Sequence, residues 1–221
     1  MRSKQSGFTL IEMLVVVVIM GVMAAIALPN FSQWVATRRV ANKSEQILNL
    51  MRLARAEAIR LNQPIYVCNA QIRADGKPDN YCNNSFEGQG MVAFSDANRD
   101  AKFVGNDGDR LLRTVVLNDT NTTKQVVISI KNLSLNGDSE AIQAKQFGFL
   151  PDGKVVRIDD SKNRQAFSGV VQITLTDSQA STSAQKKSRS YVALLESGGR
   201  ARLCGSRNEA DKNNILCKPS F

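Results

Sequence analysis

The sequence predicts an α+β fold: a long amino-terminal helix, apolar at its start and amphipathic beyond, packed on an antiparallel β-sandwich head. Three observations predict it. Residues 13–28, MLVVVVIMGVMAAIAL, carry no charge. Ile47, Met51, Ala54, Ala58 and Leu61 then recur at three- and four-residue steps, with Arg52, Arg55, Glu57 and Arg60 filling the other side, the pattern of a helix with one buried stripe. After Pro64 the pattern changes to short β-rich runs separated by Gly, Asn and Asp.

The first element is the apolar run. Extended back to Phe8 it reaches the ~20 residues that span a bilayer core, so residues 8–29 are expected to form a transmembrane helix. A secretory signal would place a small-residue cleavage site after the run, where Pro29-Asn30-Phe31 stands instead. Arg2 and Lys4 precede the run and keep the amino terminus cytoplasmic. Glu12 is the exception within it. A carboxylate in a spanning helix costs about 2.5–3.5 kcal/mol on insertion scales and needs a partner. A cut after Gly7 would supply one, because the new α-amine on Phe8 lies four residues away, at the positive end of the helix.

Gly7-Phe8-Thr9-Leu10-Ile11-Glu12 and the apolar run after it resemble the type III signal sequence of type IV pilins and type II secretion pseudopilins. The resemblance implies a leader at residues 1–7, cleavage between Gly7 and Phe8 by a prepilin peptidase, and N-methylation of Phe8. It also implies that Glu12 pairs with the Phe8 amine of a neighbouring subunit during assembly.

The helix is expected to continue as an amphipathic segment over residues 30–62, with Gly21 and Pro29 as points of kinking or local melting. Asn62-Gln63-Pro64 stops it, since the residue before proline is driven out of the α region. From residue 8 to 61 the rod measures about 80 Å at 1.5 Å per residue. Trp34, just past the apolar run, reads as an interfacial anchor.

Residues 63–221 form the head. Its expected strands are IYVCNA, GMVAFS, LLRTVVL, QVVISI, QFGFL, KVVRI, GVVQITL and SYVALLE, a spacing that suits an antiparallel sandwich. Leu150-Pro151-Asp152-Gly153 is a turn, with Gly153 supplying positive φ. The polar stretch of residues 178–190 reads as a loop.

Composition narrows the chemistry. With no histidine among 221 residues, the usual neutral-pH general base and the commonest metal ligand are both missing. No enzyme, cofactor, metal site or small-molecule substrate is expected. The four cysteines fall into two local pairs, Cys68 with Cys82 and Cys204 with Cys217, without the close spacing of zinc or redox sites. In an oxidising compartment they suit two short-loop disulfides, each contributing roughly 3 kcal/mol, whereas in the cytosol four reduced, buried thiols would be the better reading. Asp96-Ala97-Asn98-Arg99-Asp100 has the opening spacing of a calcium loop, but Ala101-Lys102 stands where the turn glycine is needed. Together with Asn106-Asp107-Gly108-Asp109, it reads as inter-strand turn chemistry.

The net charge is +9, and it stays at +7 without Arg2 and Lys4. Most of the surplus lies in residues 185–221, where Lys186, Lys187, Arg189, Arg200, Arg202, Arg207, Lys212 and Lys218 face only Glu196, Glu209 and Asp211. Arg200 and Arg202 alternate in a strand-like stretch and are expected on one face. A positive patch of this kind binds phosphates by releasing counterions. No aromatic residue lies between Arg200 and Arg207, so base stacking is not expected.

The segments LARAEAIR at 53–60, FSDANRD at 94–100, FLPDG at 149–153 and GRARLC at 199–204 resemble minor pilins and pseudopilins of the FimT, FimU and GspH type, whose heads are β-sandwiches on a long helix. Gly199-Arg200-Ala201-Arg202 is similar to the element that FimT-type minor pilins use to hold DNA in natural transformation. That resemblance implies Arg200 and Arg202 as phosphate contacts, with Lys186, Lys187, Arg189 and Arg207 as auxiliaries. The expected function is that of a type IV pilus minor pilin contributing to assembly and binding double-stranded DNA for uptake. Its partners would be other major and minor pilins, the prepilin peptidase and the inner membrane, with the head periplasmic and then displayed on the pilus. The alternatives are a tip subunit priming assembly without DNA, in which the basic residues form a solvated face or contact neighbouring pilins, and a GspH-type pseudopilin of type II secretion.

Overall fold

The computed structural model describes residues 7–104, 107–118, 124–141, 143–159, 161–166, 168–205, 211 and 213–219, and within the helix it leaves aside the side chains of residues 26–30. Helix α1 spans Leu10–Leu61. It begins two residues later than the sequence suggested, because Thr9 is extended and caps it: the Glu12 N–H donates to Thr9 Oγ1 at 3.3 Å. Gly7 and Phe8 therefore precede the helix. It closes at Asn62, whose left-handed backbone (φ 52°) turns the chain into Pro64. Neither Gly21 nor Pro29 breaks α1. One missing N–H costs a single rung of a long cooperative ladder.

Val40, Ser44, Ile47, Met51, Ala54 and Ala58 form the buried stripe of α1, so the stripe starts earlier than the sequence pattern indicated. The amino-terminal part is the opposite case, with Phe8, Leu10, Ile11 and the apolar side chains up to Met23 all exposed. Among the described residues no helix is long and apolar enough to cross a membrane. The apolar run itself extends into residues 26–30, whose side chains lie outside the description.

The head contains strands β1 (Ile65–Ile72), β2 (Pro78–Asp79), β3 (Gly90–Ser95), β4 (Arg110–Val116), β5 (Val126–Leu133), β6 (Gln146–Phe149), β7 (Val155–Ile158), β8 (Arg164–Ala166), β9 (Val170–Asp177), β10 (Ser190–Glu196) and β11 (Ala201–Leu203). One sheet runs β4-β3-β1-β6-β7-β8, with β2 on the end of β1; the other runs β11-β10-β9-β5. Their pairings are antiparallel. Every strand read from the sequence is present, and β2, β8 and β11 are too short to show a period.

Residues 178–190 contain a correction. A helix, α2 (Ser183–Ser188), stands where a loop was expected. Thr182 and Gln185 cap it reciprocally, the hydroxyl taking the Gln185 N–H and the Gln185 amide reaching back to Thr182 N–H. That threonine-x-x-glutamine signature was readable in the sequence.

One core joins α1 to the inner faces of both sheets: Ile47, Met51 and Ala54 meet Val67, Met91 and Phe147 of the first sheet and Ile128, Ile173 and Leu195 of the second. The outer faces carry smaller clusters. Tyr66, Val92 and Phe94 lie beside the Cys68–Cys82 disulfide, and Val170, Val192 and Leu194 beside the Cys204–Cys217 disulfide. Both disulfides are those expected from the sequence, and among the described residues no cysteine is free.

Candidate functional site

The candidate site is built by the turn from β10 to β11. Gly199 N–H donates to Glu196 C=O (2.8 Å) and Glu196 N–H to Arg200 C=O (2.9 Å), which closes the turn. The turn is also tied to the other sheet, since Val155 N–H donates to Ser197 C=O at 2.9 Å. Gly199 has φ +81°, and a Cβ there would stand 2.0 Å from Gly153 C=O and 2.9 Å from Arg55 Nε. Only glycine fits so close an approach in that backbone conformation.

Past this turn Arg200 and Arg202 differ in their partners. Arg200 is exposed and lines a cleft against α1 with Arg52, Arg55 and Ile59. Ala201 and Leu203 face the shared core, which sends Arg202 to the opposite side of the sheet. There its Nη1 donates to Asp211 Oδ1 at 2.7 Å, while Glu196 Oε1 lies 4.0 Å from its Nε. Arg200 is in register with Glu196 and Arg202 with Leu194, so the two alternate along the hairpin on one face, as the sequence pattern expects, while Arg202 alone is tied to Asp211.

Asp211 also accepts the Gly205 N–H at 2.9 Å. These two bonds, the backbone N–H first and the guanidinium second, hold its carboxyl below the usual carboxylate range. The ligand atoms of Cys204, Asp211 and Cys217 lie within 4.8 Å of one another, but both sulfurs are spent in the disulfide. The grouping is therefore a carboxylate packed on a disulfide.

The remaining basic candidates divide in the same way. Arg189 is held by Asp177 at 3.0 Å, with Asp177 buried, so its charge is compensated internally. Lys186 and Lys187 sit in the last turn of α2, and Lys187 with Lys218 lines a second cleft beside the Cys204–Cys217 disulfide. Arg207 lies outside the described residues. The structure thus brings Arg200 together with Arg52 and Arg55, two residues that the sequence assigned only to the polar side of a helix. Their meeting spans some 145 positions, and no local signal announces it.

The cleft is strongly cationic. Among its described lining residues none is acidic. Arg55 Nε is buried without a hydrogen-bond partner. It packs against the backbone of Gly153 and Gly199, out of reach of solvent.

The acidic loop after β3 is spent on its own backbone. Asp96 accepts the N–H groups of Arg99 (2.6 Å) and Ala101 (2.8 Å), and Asp109 those of Ala97 (2.9 Å) and Val104 (3.0 Å). Burial pushes the Asp96 carboxyl up, against those two N–H groups. The turn reading of this loop fits the geometry.

At the other end, Gly7 and Phe8 lie in an exposed, non-helical lead-in, and Glu12 occupies the first turn of α1. Trp34 is exposed, stacked on Phe31 at 6.0 Å and covered by the Arg38 guanidinium at 5.5 Å.

Residues 43–214 match the model of the family described as type II transport protein GspH. The chain belongs to the GspH family. Residues 2–28 match the prokaryotic N-terminal methylation motif. The chain thus joins an N-terminal methylation motif to a GspH-family head. Type IV major fimbrial proteins FimA of Dichelobacter nodosus are 49% or 46% identical to it over 41 residues, 19% of this chain and about a quarter of theirs. Among solved structures, the type IV minor pilin FimU of Pseudomonas aeruginosa is similar over 77% of this GspH-family chain and 92% of its own, with 10% identity and a TM-score of 0.47. The minor pseudopilin EpsH from the type 2 secretion system of Vibrio cholerae is similar over 77% of this chain and 99% of its own, with 10% identity and a TM-score of 0.41.

Proposed function

We propose that this GspH-family subunit is a minor pilin of a type IV pilus whose head holds double-stranded DNA through the cleft formed by Arg52, Arg55 and Arg200. The observation that carries the reading is the convergence of three arginines without an acidic residue among the described lining residues. Phosphate contact gives affinity without sequence readout, in keeping with a cleft whose described lining residues include no aromatic. Arg202 and Arg189, each tied to an aspartate, serve the architecture around the cleft.

Assembly belongs to the same proposal. The chain is cut between Gly7 and Phe8, Phe8 is methylated, and residues 8–29 hold the subunit in the inner membrane with the head in the periplasm. Glu12 then accepts the Phe8 amine of a neighbouring subunit, which neutralises a carboxylate that lipid would otherwise penalise. The methylation motif, the exposed apolar side chains before Met23 and the non-helical lead-in at Gly7 and Phe8 support this.

The test is duplex binding by the full-length chain in detergent over a range of salt. Affinity should fall steeply with salt, and Arg200→Gln or Arg52→Gln should each reduce the slope of log K against log salt by about one. Arg202→Gln should leave the slope unchanged. No binding, or a slope indifferent to Arg200 and Arg52, overturns the reading. A pseudopilin role in type II secretion is the second reading, favoured by the description of the matched family. Deletion of the gene separates the two: loss of transformation supports the first, and loss of exoprotein release with pili intact supports the second.

A further inference from the structure

Strand β5 is the outer strand of its sheet, and its free edge is closed at both ends and open in the middle. Ser178 N–H donates to Gln125 C=O at 3.0 Å, which makes the odd-numbered residues of β5 the ones that exchange hydrogen bonds with β9. Val126, Ile128, Ile130 and Asn132 therefore turn their N–H and C=O groups to the free edge. At one end Asn118 imitates a strand, accepting the Val126 N–H (3.0 Å) and donating to the Val126 C=O (2.7 Å). At the other, Gln143 accepts the Asn132 N–H (2.9 Å) and donates to its C=O (3.0 Å). Between these clamps the outward N–H and C=O of Ile128 and Ile130 have no partner among the described residues. Their side chains point into the core at 7% exposure each, so they leave the edge uncovered.

An open cleft lies along this stretch, flanked by Lys124, Lys131 and Lys145. Lys145 is engaged by Glu87, which leaves Lys124 and Lys131 as the charge surplus. Unpaired strand edges are normally blunted because they template pairing with another chain. Here both ends are blunted and a gap of about three residues is kept.

We propose that this gap receives an extended, acidic segment of another polypeptide, which adds a strand to β5. Two of its residues exchange four backbone hydrogen bonds with Ile128 and Ile130, and both turn their side chains inward, which favours small or apolar groups. The residue between them lies opposite Ser129, on the face that carries Lys131, where a carboxylate finds its counter-charge. The recognised pattern is apolar, acidic, apolar.

The probe is an acetylated and amidated pentapeptide alternating glutamate and valine, added to the full-length chain in detergent. Without peptide the amides of Ile128 and Ile130 should exchange quickly with deuterium, and with peptide both should be protected. A peptide N-methylated at its valine amides keeps its charge and loses the donors, so it should bind about tenfold more weakly or worse. Lys124→Glu combined with Lys131→Glu, two surface changes, should weaken the unmodified peptide to a similar degree. Absence of binding overturns the proposal, as does equal affinity of the N-methylated peptide. It is also overturned if protection of both amides grows with protein concentration before peptide is added, since the occupant would then be a second copy of this chain.

Discussion

At the residue scale the basic surplus divides into charges that hold the head together and charges that are left over. Arg202 and Arg189 belong to the first group, and Asp211 shows how such a tie depends on pH. Its carboxyl is held below the ordinary value by the Gly205 N–H and the Arg202 guanidinium. A depressed carboxylate contributes stability that is complete above its unfolded value, near pH 3.9, and is lost as pH falls through the lower folded value. The anchorage of the segment around Cys204 and Gly205 should therefore survive mild acid and weaken only below about pH 3.9. Carboxyl NMR of Asp211, followed with exchange at the Gly205 amide, measures this. In Arg202→Gln the titration should move up but remain below the ordinary value, because the Gly205 donor persists. An Asp211 that titrates at or above the ordinary value in the parent chain refutes the tie.

At the element scale, legibility followed periodicity. α1 and the eight longer strands were readable because apolar residues repeat along them, and Asn62 with Pro64 marked the helix end. The start of α1 was read from hydrophobicity alone, and the cap at Thr9 moved it. α2 was hidden by its polarity, and Thr182 with Gln185 was the available signal. The site itself was half legible: Arg200 was found as part of a basic cluster, whereas Arg52 and Arg55 come to it only through the turn at Gly199, a contact between distant parts of the chain. That turn makes a test. Gly199→Ala puts a Cβ into Gly153 C=O and Arg55 Nε at positive φ, so it should cost about 1–3 kcal/mol and displace Arg200 from Arg55. Chemical denaturation gives the first effect and DNA affinity the second. A variant with parental stability and parental binding would show that the close approach does not shape the cleft.

At the scale of the whole molecule, the second half of α1 is a structural member shared by both sheets, while its first half carries its apolar surface outward. Ile47, fully buried, belongs to the cluster that contains Val67 and Phe147 of one sheet and Ile173 and Leu195 of the other. The hydrogen bond from Val155 N–H to Ser197 C=O joins the same two sheets at the turn before β11. With one core and a direct tie between its layers, the head should unfold as a single unit. Ile47→Ala should cost about 2–5 kcal/mol through lost burial and the cavity left behind. Because the cavity opens at a surface common to both sheets, native-state hydrogen exchange should show the same loss of protection in β1 and in β9, and no change for amides before Met23, which lie outside the core. Loss confined to one sheet would mean that α1 rests on that sheet alone, and that the other layer is held by its disulfide and hairpins rather than by the helix.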